Sequence, residues 1–235
     1  MGALSAVTCI MPTADRRIFV SHAIGMFLAQ DYNDKELLIV DDGTDSVEDI
    51  IPQVPSVRYF RLDKKQSLGA KRNFACDAAK GDLILHWDDD DWYASWRIRY
   101  QVGRLVASKL DICGLDHVYF VNAAASQAWE YIYIPNPFPW VCGATLCYLK
   151  CFWKHHPFPN QDIGEDTRFV FSARHAKIGA LTDNRFFVAR MHTDNTAVKR
   201  TTDTCWHPRR LEAVRSLVGS DWDQLFGGER GLPRA

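Results

Sequence analysis

The chain has 235 residues, and its 28 lysines and arginines against 29 aspartates and glutamates give a formal charge of −1. At about 150 residues per domain, this length corresponds to one or two domains. The near-zero charge excludes a generally basic surface for nucleic acid or for an anionic membrane. With 47% hydrophobic and 24% charged residues, the composition also excludes a disordered chain, a collagen repeat and a disulfide-stapled miniprotein. A polyanionic ligand must therefore be bound by local groups.

Seven cysteines are scattered along the chain without a CxxC pair. This pattern predicts free thiols in a reducing compartment, and hence a cytoplasmic protein. The first residues lack the cationic region of a signal peptide, and no apolar run approaches the length of about 18 residues that a membrane span requires. We therefore expect no transmembrane segment, while peripheral contact with a membrane stays open.

Short apolar runs alternate with helical patterns in the first half of the chain. We expect strands at 6–11, 36–40, 57–62 and 83–87, and helices at 16–30 and 68–80, with Gly81 capping the second helix. Strands that alternate with helices at this spacing are typical of an α/β fold with a mostly parallel, doubly wound sheet.

The second half is less regular. We expect a helix at 95–108, a strand at 111–115, an antiparallel excursion with a surface loop at 117–140, a helix after Gly164 and a strand at 185–191. The polar stretch that follows, residues 192–204, reads equally well as a mobile flap or as a loose loop.

Acidic residues follow two of the apolar strands directly. Asp41 and Asp42 end one strand, and the acidic run, Asp88 to Asp91, ends another. Ligands bind at the carboxyl ends of the strands in an open parallel sheet, where these carboxylates would repel one another without a cation. Oxygen ligands favour Mg²⁺ or Mn²⁺, so the pattern predicts a divalent metal site. For Asp42-Gly43 alone, a simple turn is an equal alternative.

The motifs occur in an order that resembles a known family. A strand followed by PT, a strand followed by DDG, then GAKRN, LILHWDDDDW and GED resemble the family 2 glycosyltransferases of the GT-A fold, over residues 5 to 195. The resemblance implies a single GT-A domain over 1–235, with a nucleotide-sugar half (1–115) and an acceptor half (116–235) that includes a C-terminal flap or helix. It also implies inverting, metal-dependent transfer from a nucleotide diphosphate sugar, with UDP expected, to an acceptor hydroxyl.

The resemblance also implies roles for residues at the donor side. Pro12 and Thr13 would line the nucleotide pocket, Asp41 would hydrogen-bond the base, and Asp42 would support the turn. Arg72 would contact the nucleotide, although a solvated helix face is the alternative for this basic stretch.

Within the acidic run, the resemblance to a DxD motif does not fix the register, because every position is aspartate. We assign the metal ligand to Asp90 and the ribose or diphosphate contacts to Asp88 and Asp89, and Asp91 equally suits a cap. His192 resembles a late histidine that completes the metal site or touches the diphosphate, and a hydrogen-bonded turn residue is the alternative.

Glu165 and Asp166 resemble the catalytic carboxylate pair of the family. Asp166 would be the general base that takes the proton from the acceptor hydroxyl, and Glu165 would hold the acceptor or orient Asp166. The alternative is that both are favourable first-turn charges on a helix.

Aromatic residues of the second half offer a platform for the acceptor. Trp129, Tyr131 and Tyr133 alternate as in a strand, and with Trp140 they would stack on a sugar or an apolar group; ordinary sheet packing is the commoner alternative. Nearby, Cys142, Cys147, Cys151, His155 and His156 lack the spacing of a zinc site and fit core cysteines on a helix face better.

Two other functions are alternatives to glycosyl transfer. A sugar nucleotidylyltransferase shares the fold and metal, but its glycine-rich basic signature is absent after the first strand, where MPTADRR stands. A catalytically silent module that binds a glycan or nucleotide would be expected to lack the acidic run or the base, and both are present. The acceptor, the linkage, the donor sugar and the oligomeric state are not set by the sequence.

Overall fold

The computed structural model describes residues 6–134, 139–172, 175–197 and 199–227. Its strands are β1 (Val7–Thr13), β2 (Lys35–Asp41), β3 (Val57–Arg61), β4 (Leu83–His86), β5 (Trp92–Tyr93), β6 (Ile112–Gly114), β7 (His117–Asn122), β8 (Gln127–Ile132), β9 (Cys147–Leu149), β10 (Ile178–Ala180), β11 (Phe187–Arg190) and β12 (Trp206–Arg209). Its α-helices are α1 (Arg17–Leu28), α2 (Leu68–Ala78), α3 (Arg97–Ala107), α4 (Lys150–His155), α5 (Glu165–Phe171), α6 (Leu211–Val218) and α7 (Trp222–Phe226). Within these ranges, no helix combines the length and the apolar character that crossing a membrane would require.

The larger sheet has the strand order β10-β6-β9-β4-β1-β2-β3 in the described part of the chain. β1 pairs in parallel with β2 and β4, β2 pairs in parallel with β3, and β9 runs antiparallel between β4 and β6. The parallel pairs bring the carboxyl ends of β1, β2 and β4 to one edge, where Thr13 is the register partner of Asp41. The expected α/β class with a mostly parallel sheet is confirmed.

A second sheet has the order β12-β8-β7-β11-β5 over the same described residues. β7 and β8 form an antiparallel hairpin whose register runs from His117 opposite Ile132 to Asn122 opposite Gln127. The antiparallel excursion expected at 117–140 is therefore confirmed for its first part, whereas residues 135–138 lie outside the described residues.

The central strands are buried on both faces, which explains why they read as continuous apolar runs. In β1, Met11 packs in the hydrophobic cluster that contains Phe27 of α1, whereas its neighbour Ile10 packs in the cluster that contains Cys76 of α2. Successive strand residues point to opposite faces, so one strand holds both helical layers. This rigid layer fixes the positions of the loops at its carboxyl edge.

The expected capping role of Gly81 is wrong. α2 ends at Ala78, followed by Ala79 in an extended conformation. Gly81 is needed for another reason, because a Cβ at this position would lie 2.7 Å from the backbone oxygen of Ala6 and 2.8 Å from the backbone nitrogen of Thr8. The glycine lets the chain approach β1 closely before β4 begins.

The interpretation of the later cysteines as core residues on a helix face is also wrong for Cys147. This residue lies in β9, where it is the register partner of Leu85 in β4 and Cys113 in β6. Cys151 does lie on a helix, α4, but it is exposed. No group of three or more histidine, cysteine or acidic residues that could hold a metal ion occurs among the described residues.

Candidate active site

The acidic run follows β4 at the carboxyl edge of the larger sheet, and its side chains alternate in direction. The side chain of Asp88 is 26% exposed and that of Asp90 is 10% exposed, whereas that of Asp89 is only 2% exposed. Asp91 is buried and accepts a hydrogen bond of 2.9 Å from the backbone nitrogen of Arg190. The side chains of Asp88 and Asp90 are therefore more exposed than that of Asp89, which lies between them.

Asp89 points to the first strand instead. Its Oδ2 accepts a hydrogen bond of 2.6 Å from Oγ1 of Thr13, and its Oδ1 lies 3.0 Å from Nη1 of Arg16. Burial and the neighbouring charge of Asp90 raise the pKa of Asp89 to about 6. Both oxygens of Asp89 thus bind protein groups, and its carboxylate joins the acidic run to the end of β1, where Pro12 and Thr13 are buried.

Asp90 is the centre of a polar cluster that brings a late segment onto the acidic run. Its Oδ2 lies 2.9 Å from Nη1 of Arg16, 2.9 Å from Nε2 of His192 and 3.3 Å from Nδ2 of Asn195. The ring of Phe19 packs against His192 with a centroid distance of 4.8 Å. Asp90 and His192, the two residues assigned to the metal from the sequence, therefore lie in direct contact.

The donor set at Asp90 fits a divalent cation that takes most of its ligands from outside the protein. A carboxylate oxygen and an imidazole nitrogen lie side by side, and both are ligands for Mn²⁺. A Mg²⁺ or Mn²⁺ ion bound with substrate phosphates needs only one or two protein ligands.

Asp41 is completely buried at the end of β2, and its carboxylate is surrounded by protein donors. Oδ1 accepts a 2.8 Å hydrogen bond from the backbone nitrogen of Gly43. Oδ2 accepts from the hydroxyl of Tyr59 at 2.8 Å, from the backbone nitrogen of Val47 at 3.3 Å, and pairs with Nη1 of Arg61 at 2.9 Å. Asp41 was expected to contact the nucleotide base. In this arrangement, its carboxylate holds the loop after β2 through Gly43 and Val47.

Asp42 and Lys71 connect the ends of the first two strands. Asp42 accepts hydrogen bonds of 2.7 Å from the backbone nitrogen of Gln66 and 2.8 Å from Nζ of Lys71, which also donates to the backbone oxygen of Thr13. Burial acts to raise the pKa of Asp42, but these hydrogen bonds outweigh it and hold the pKa below its ordinary value. Asp42 thus joins the segment before α2 to the end of β1, and its expected support of the turn stays a prediction.

Arg72 lies buried between the acidic run and α5. Its Nη1 is 2.9 Å from Oε1 of Glu165 and its Nη2 is 3.4 Å from Oδ1 of Asp88, while its guanidinium lies 5.9 Å from the ring centroid of Phe158. Burial alone would lower the pKa of Arg72, but Asp88, Glu165 and Asp166 raise it. Arg72 is an ion-pair centre that links two carboxylate groups far apart in the sequence, and the solvated helix face considered for it is wrong.

Glu165 and Asp166 begin α5, as expected, after Gly164 with a φ of 76°, a left-handed conformation that favours glycine. Glu165 is buried, and burial raises its pKa to about 7, with Arg72 acting in the opposite direction. Asp166 is half-buried, and its Oδ1 accepts a 2.6 Å hydrogen bond from the backbone nitrogen of Thr167.

The other oxygen of Asp166 lies against Gly143. A Cβ added to Gly143 would collide with the Asp166 carboxylate, so only glycine leaves room for the side chain there. Gly143 begins a 3₁₀ turn, Gly143–Thr145. The position of Asp166, the expected base, therefore depends on a glycine 23 residues before it. No sequence motif pointed to this glycine.

Arg97 holds this turn against the end of β4. The fully buried guanidinium donates hydrogen bonds of 2.8 Å to the backbone oxygen of His86 and 3.1 Å to that of Ala144. It lies 4.4 Å from the ring centroid of Tyr93 and 5.3 Å from that of Trp87. Its Nε donates a hydrogen bond of 2.8 Å to Oε1 of Gln101, one helical turn further on, and no sequence pattern identified Arg97.

Aromatic rings gather on the second sheet, beyond Gly143. The aromatic cluster consists of Phe120, Tyr131, Tyr133, Trp140 and Trp206, with centroid distances between 4.8 and 5.8 Å. Trp129, expected in this group, stands opposite Phe120 and Pro208 in the strand register. Trp206 also belongs to the cluster, which no sequence pattern predicted.

Comparison with known proteins identifies the class that this fold and site define. The model of the family "Glycosyl transferase family 2" matches residues 8–157, more than half of the chain. The chain belongs to this family, and the match includes β1, β2, the acidic run and Arg72. The resemblance drawn from the motifs is confirmed.

Particular relatives show how far the likeness extends. An uncharacterized glycosyltransferase of Haemophilus influenzae is 28% identical over 109 residues, 44% of either chain. The GalNAc(5)-diNAcBac-PP-undecaprenol beta-1,3-glucosyltransferase of Campylobacter jejuni is 28% identical over 91 residues, which are 36% of this chain and 29% of the relative. The matched part thus spans less than half the length of these curated relatives.

Solved structures share the fold. S. aureus TarS in complex with UDP-GlcNAc superposes with a TM-score of 0.67 at 19% identity, over 81% of this chain and 60% of TarS. The mannosyltransferase PcManGT of Pyrobaculum calidifontis, in complex with GDP-Man and Mn²⁺, gives a TM-score of 0.63 at 15% identity, over 81% and 57%. The expected GT-A fold is confirmed.

Proposed function

We propose that the protein is an inverting glycosyltransferase that moves a sugar from a nucleotide diphosphate sugar to an acceptor hydroxyl. The observation that carries the proposal is the meeting of two carboxylate groups at Arg72, which pairs with Asp88 of the acidic run and with Glu165 beside Asp166. A donor-binding edge and a candidate base are thereby held within one buried ion-pair network. Residues before about 115 supply the donor groups and residues after 116 supply the base and the acceptor groups, within one domain.

The donor side of the proposal rests on the edge formed by β1, β2 and β4. We expect the nucleotide to lie beside Pro12 and Thr13, with Asp41 and Asp42 forming the loop that receives the base, and Asp88 facing the ribose or diphosphate. UDP is our first choice of nucleotide because the related TarS binds UDP-GlcNAc, although PcManGT binds GDP-Man.

Asp90 and His192 are the residues that would hold a divalent cation, Mn²⁺ or Mg²⁺. When bound, the cation supplies charge neutralisation for the departing diphosphate. The Mn²⁺ in the PcManGT complex supports this choice of cofactor. The protein itself contributes an edge of like charges that favours a cation at this position.

Asp166 is our candidate for the general base. Its half-buried carboxylate beside Gly143 would take the proton from the acceptor hydroxyl as that oxygen attacks the anomeric carbon. Attack from the face opposite the diphosphate inverts the anomeric centre in one step and needs no enzyme nucleophile. Arg72 would hold Glu165 and Asp88 at fixed positions on the two sides of the reaction.

The aromatic cluster is our candidate for the acceptor surface. Trp140 precedes Gly143 by three residues and therefore connects the rings to the turn on which Asp166 rests. Ring faces of this kind stack on sugars or on apolar groups, and Trp129 lies in the same strand as Tyr131. A glycan, a lipid-linked sugar or a small glycoside would fit such a surface.

A cytoplasmic location is also part of the proposal. All seven cysteines are free, and each of them lies within the described ranges. Unpaired thiols are typical of a reducing compartment.

Product analysis tests the proposed reaction. The protein is incubated with UDP sugars and GDP sugars, Mn²⁺ and simple glycosides, and the released nucleotide is identified. We expect a nucleoside diphosphate and a glycosylated acceptor with the opposite anomeric configuration. A parallel incubation contains a sugar 1-phosphate and a nucleoside triphosphate instead, and release of pyrophosphate there would indicate a nucleotidylyltransferase. Binding of the nucleotide sugar without release in either incubation would indicate a silent binding module.

A further inference from the structure

Arg16 places a positive charge inside the acidic edge. It directly precedes α1 and has a φ of −130°. Its Nη1 reaches both Oδ1 of Asp89, at 3.0 Å, and Oδ2 of Asp90, at 2.9 Å, and the side chain is only 18% exposed. Its Nη2 donates to the backbone oxygen of Asp194. One guanidinium thus links the start of α1, the acidic run and the segment 192–195.

The oxygen that Arg16 occupies is the one a divalent cation would need. Oδ2 of Asp90 accepts from Arg16 and also lies 2.9 Å from Nε2 of His192, the second candidate ligand. A guanidinium and a divalent cation at the same carboxylate oxygen repel each other, so each weakens the binding of the other. Either cation offsets the repulsion among the neighbouring aspartates.

We propose that Arg16 is the resident counter-charge of the acidic edge and competes with the divalent cation for Asp90, so that the cation binds tightly only together with the nucleotide diphosphate. This inference rests on the proposed function for the identity of the ligands. A guanidinium released from Asp90 needs another anion, and its planar set of donors matches phosphate oxygens. The oxygens of the diphosphate therefore accept hydrogen bonds from Arg16 when the cation binds to Asp90.

The next residue provides a matched control. Arg17 is also an arginine at the start of α1, but it pairs with Asp45 at 3.1 Å and with Asp49 at 2.8 Å rather than with the acidic run. Arg17→Gln removes the same charge from the chain without touching the acidic edge. A difference between Arg16→Gln and Arg17→Gln therefore reports the local competition rather than the net charge.

Mn²⁺ titration of the full chain, followed by the electron paramagnetic resonance signal of free Mn²⁺, tests the proposal. Without nucleotide, we expect Arg16→Gln to bind Mn²⁺ roughly tenfold more tightly than the wild type, the ratio that corresponds to one charge-assisted hydrogen bond. With saturating UDP, we expect this advantage to disappear, because Arg16 then contributes through the diphosphate. Arg17→Gln should match the wild type in both conditions.

Equal or weaker Mn²⁺ binding by Arg16→Gln without nucleotide would overturn the proposal, as would an equal gain in Arg17→Gln. Arg16→Lys is the second variant, because its single ammonium keeps the charge but cannot span both carboxylates. Its Mn²⁺ affinity should fall between those of the wild type and Arg16→Gln. An affinity outside this interval would contradict the proposed competition. If the wild type binds Mn²⁺ with UDP and Arg16→Gln changes nothing, only the role of Arg16 fails. If no form binds Mn²⁺ even with UDP, the metal assignment and the role of Arg16 fail together.

Discussion

Burial and a neighbouring cation act in opposite directions on Glu165. Burial prevails and raises its pKa from 4.5 to about 7, despite Nη1 of Arg72 at 2.9 Å. A carboxyl group with a raised pKa in the folded state stabilises the fold fully below its unfolded pKa. That contribution is lost as the pH rises through about 7.

Replacing Glu165 should therefore change the pH dependence of folding. Relative to Glu165→Gln, we expect the wild type to lose about 1 to 3 kcal/mol of unfolding free energy between pH 5 and pH 8, because one pKa unit corresponds to about 1.4 kcal/mol. Denaturant unfolding of both proteins across this range measures the difference. A difference independent of pH would show that Glu165 is ionised throughout.

Asp90 gives a prediction about the cofactor. Asp90→Ala removes the carboxylate that pairs with His192, so we expect the enhancement of UDP binding by Mn²⁺ to fall at least roughly tenfold. Calorimetric titration with UDP, with and without Mn²⁺, measures it. Asp49→Ala, which changes only an exposed partner of Arg17, serves as the control. An undiminished Mn²⁺ effect in Asp90→Ala would contradict the assignment.

Sequence patterns identified individual acidic residues better than their partners. Four consecutive aspartates after an apolar strand indicate a cation site, but their alternation, with Asp88 and Asp90 outward, depends on the contact of Asp89 with Thr13, 76 residues away. The buried setting of Asp41 likewise depends on Tyr59 and Arg61 of the neighbouring strand. Contacts between distant parts of the chain leave no local pattern to read.

At the scale of elements, the turn Gly143–Thr145 sets the position of α5. Because a Cβ at Gly143 would collide with the Asp166 carboxylate, we expect Gly143→Ala to displace this proposed base. A misplacement of about 1 Å costs roughly a hundredfold in rate, so kcat should fall by that order while the affinity for the donor is kept. Steady-state kinetics and donor titration measure the two quantities.

Gly103→Ala is the matched control for that variant. Gly103 is an exposed residue of α3 with nothing within 4 Å of an added Cβ. The same substitution there should leave kcat unchanged and stabilise the protein by about 0.5 to 1 kcal/mol, because alanine favours the helix. Equal kinetic losses in both variants would show that Gly143 has no special relation to Asp166.

The elements with strong local signals were predicted, among them the short strands β6 and β11, whereas β9 was not. β1, β2 and β4 are continuous buried runs, and α5 begins at its two acidic residues, as expected. β9 has three residues, and its strand character comes from pairing with β4 and β6 rather than from its sequence. The sequence around β9 has no apolar alternation and no flanking turn residues that would mark it as a strand.

For the whole molecule, the order of the motifs was the most informative feature. Parallel strands bring their carboxyl ends to one edge, so DDG and the acidic run had to meet there. The near-zero charge of the chain conceals this arrangement, because basic side chains stand among the acidic residues. Three of them are buried, Lys71, Arg72 and Arg97, and a fourth, Arg16, is half-buried. The edge is therefore an interleaved set of charges rather than a uniformly acidic surface.

The most direct test of glycosyl transfer by this site separates donor binding from turnover in one variant. Asp166→Asn keeps the size of the side chain and removes its ability to accept a proton. With Mn²⁺ and an active nucleotide sugar, we expect the donor affinity of Asp166→Asn to match the wild type, while formation of the glycosylated product falls by roughly a hundredfold or more. Unchanged turnover in Asp166→Asn would contradict the assignment of the base and, with it, the proposed mechanism.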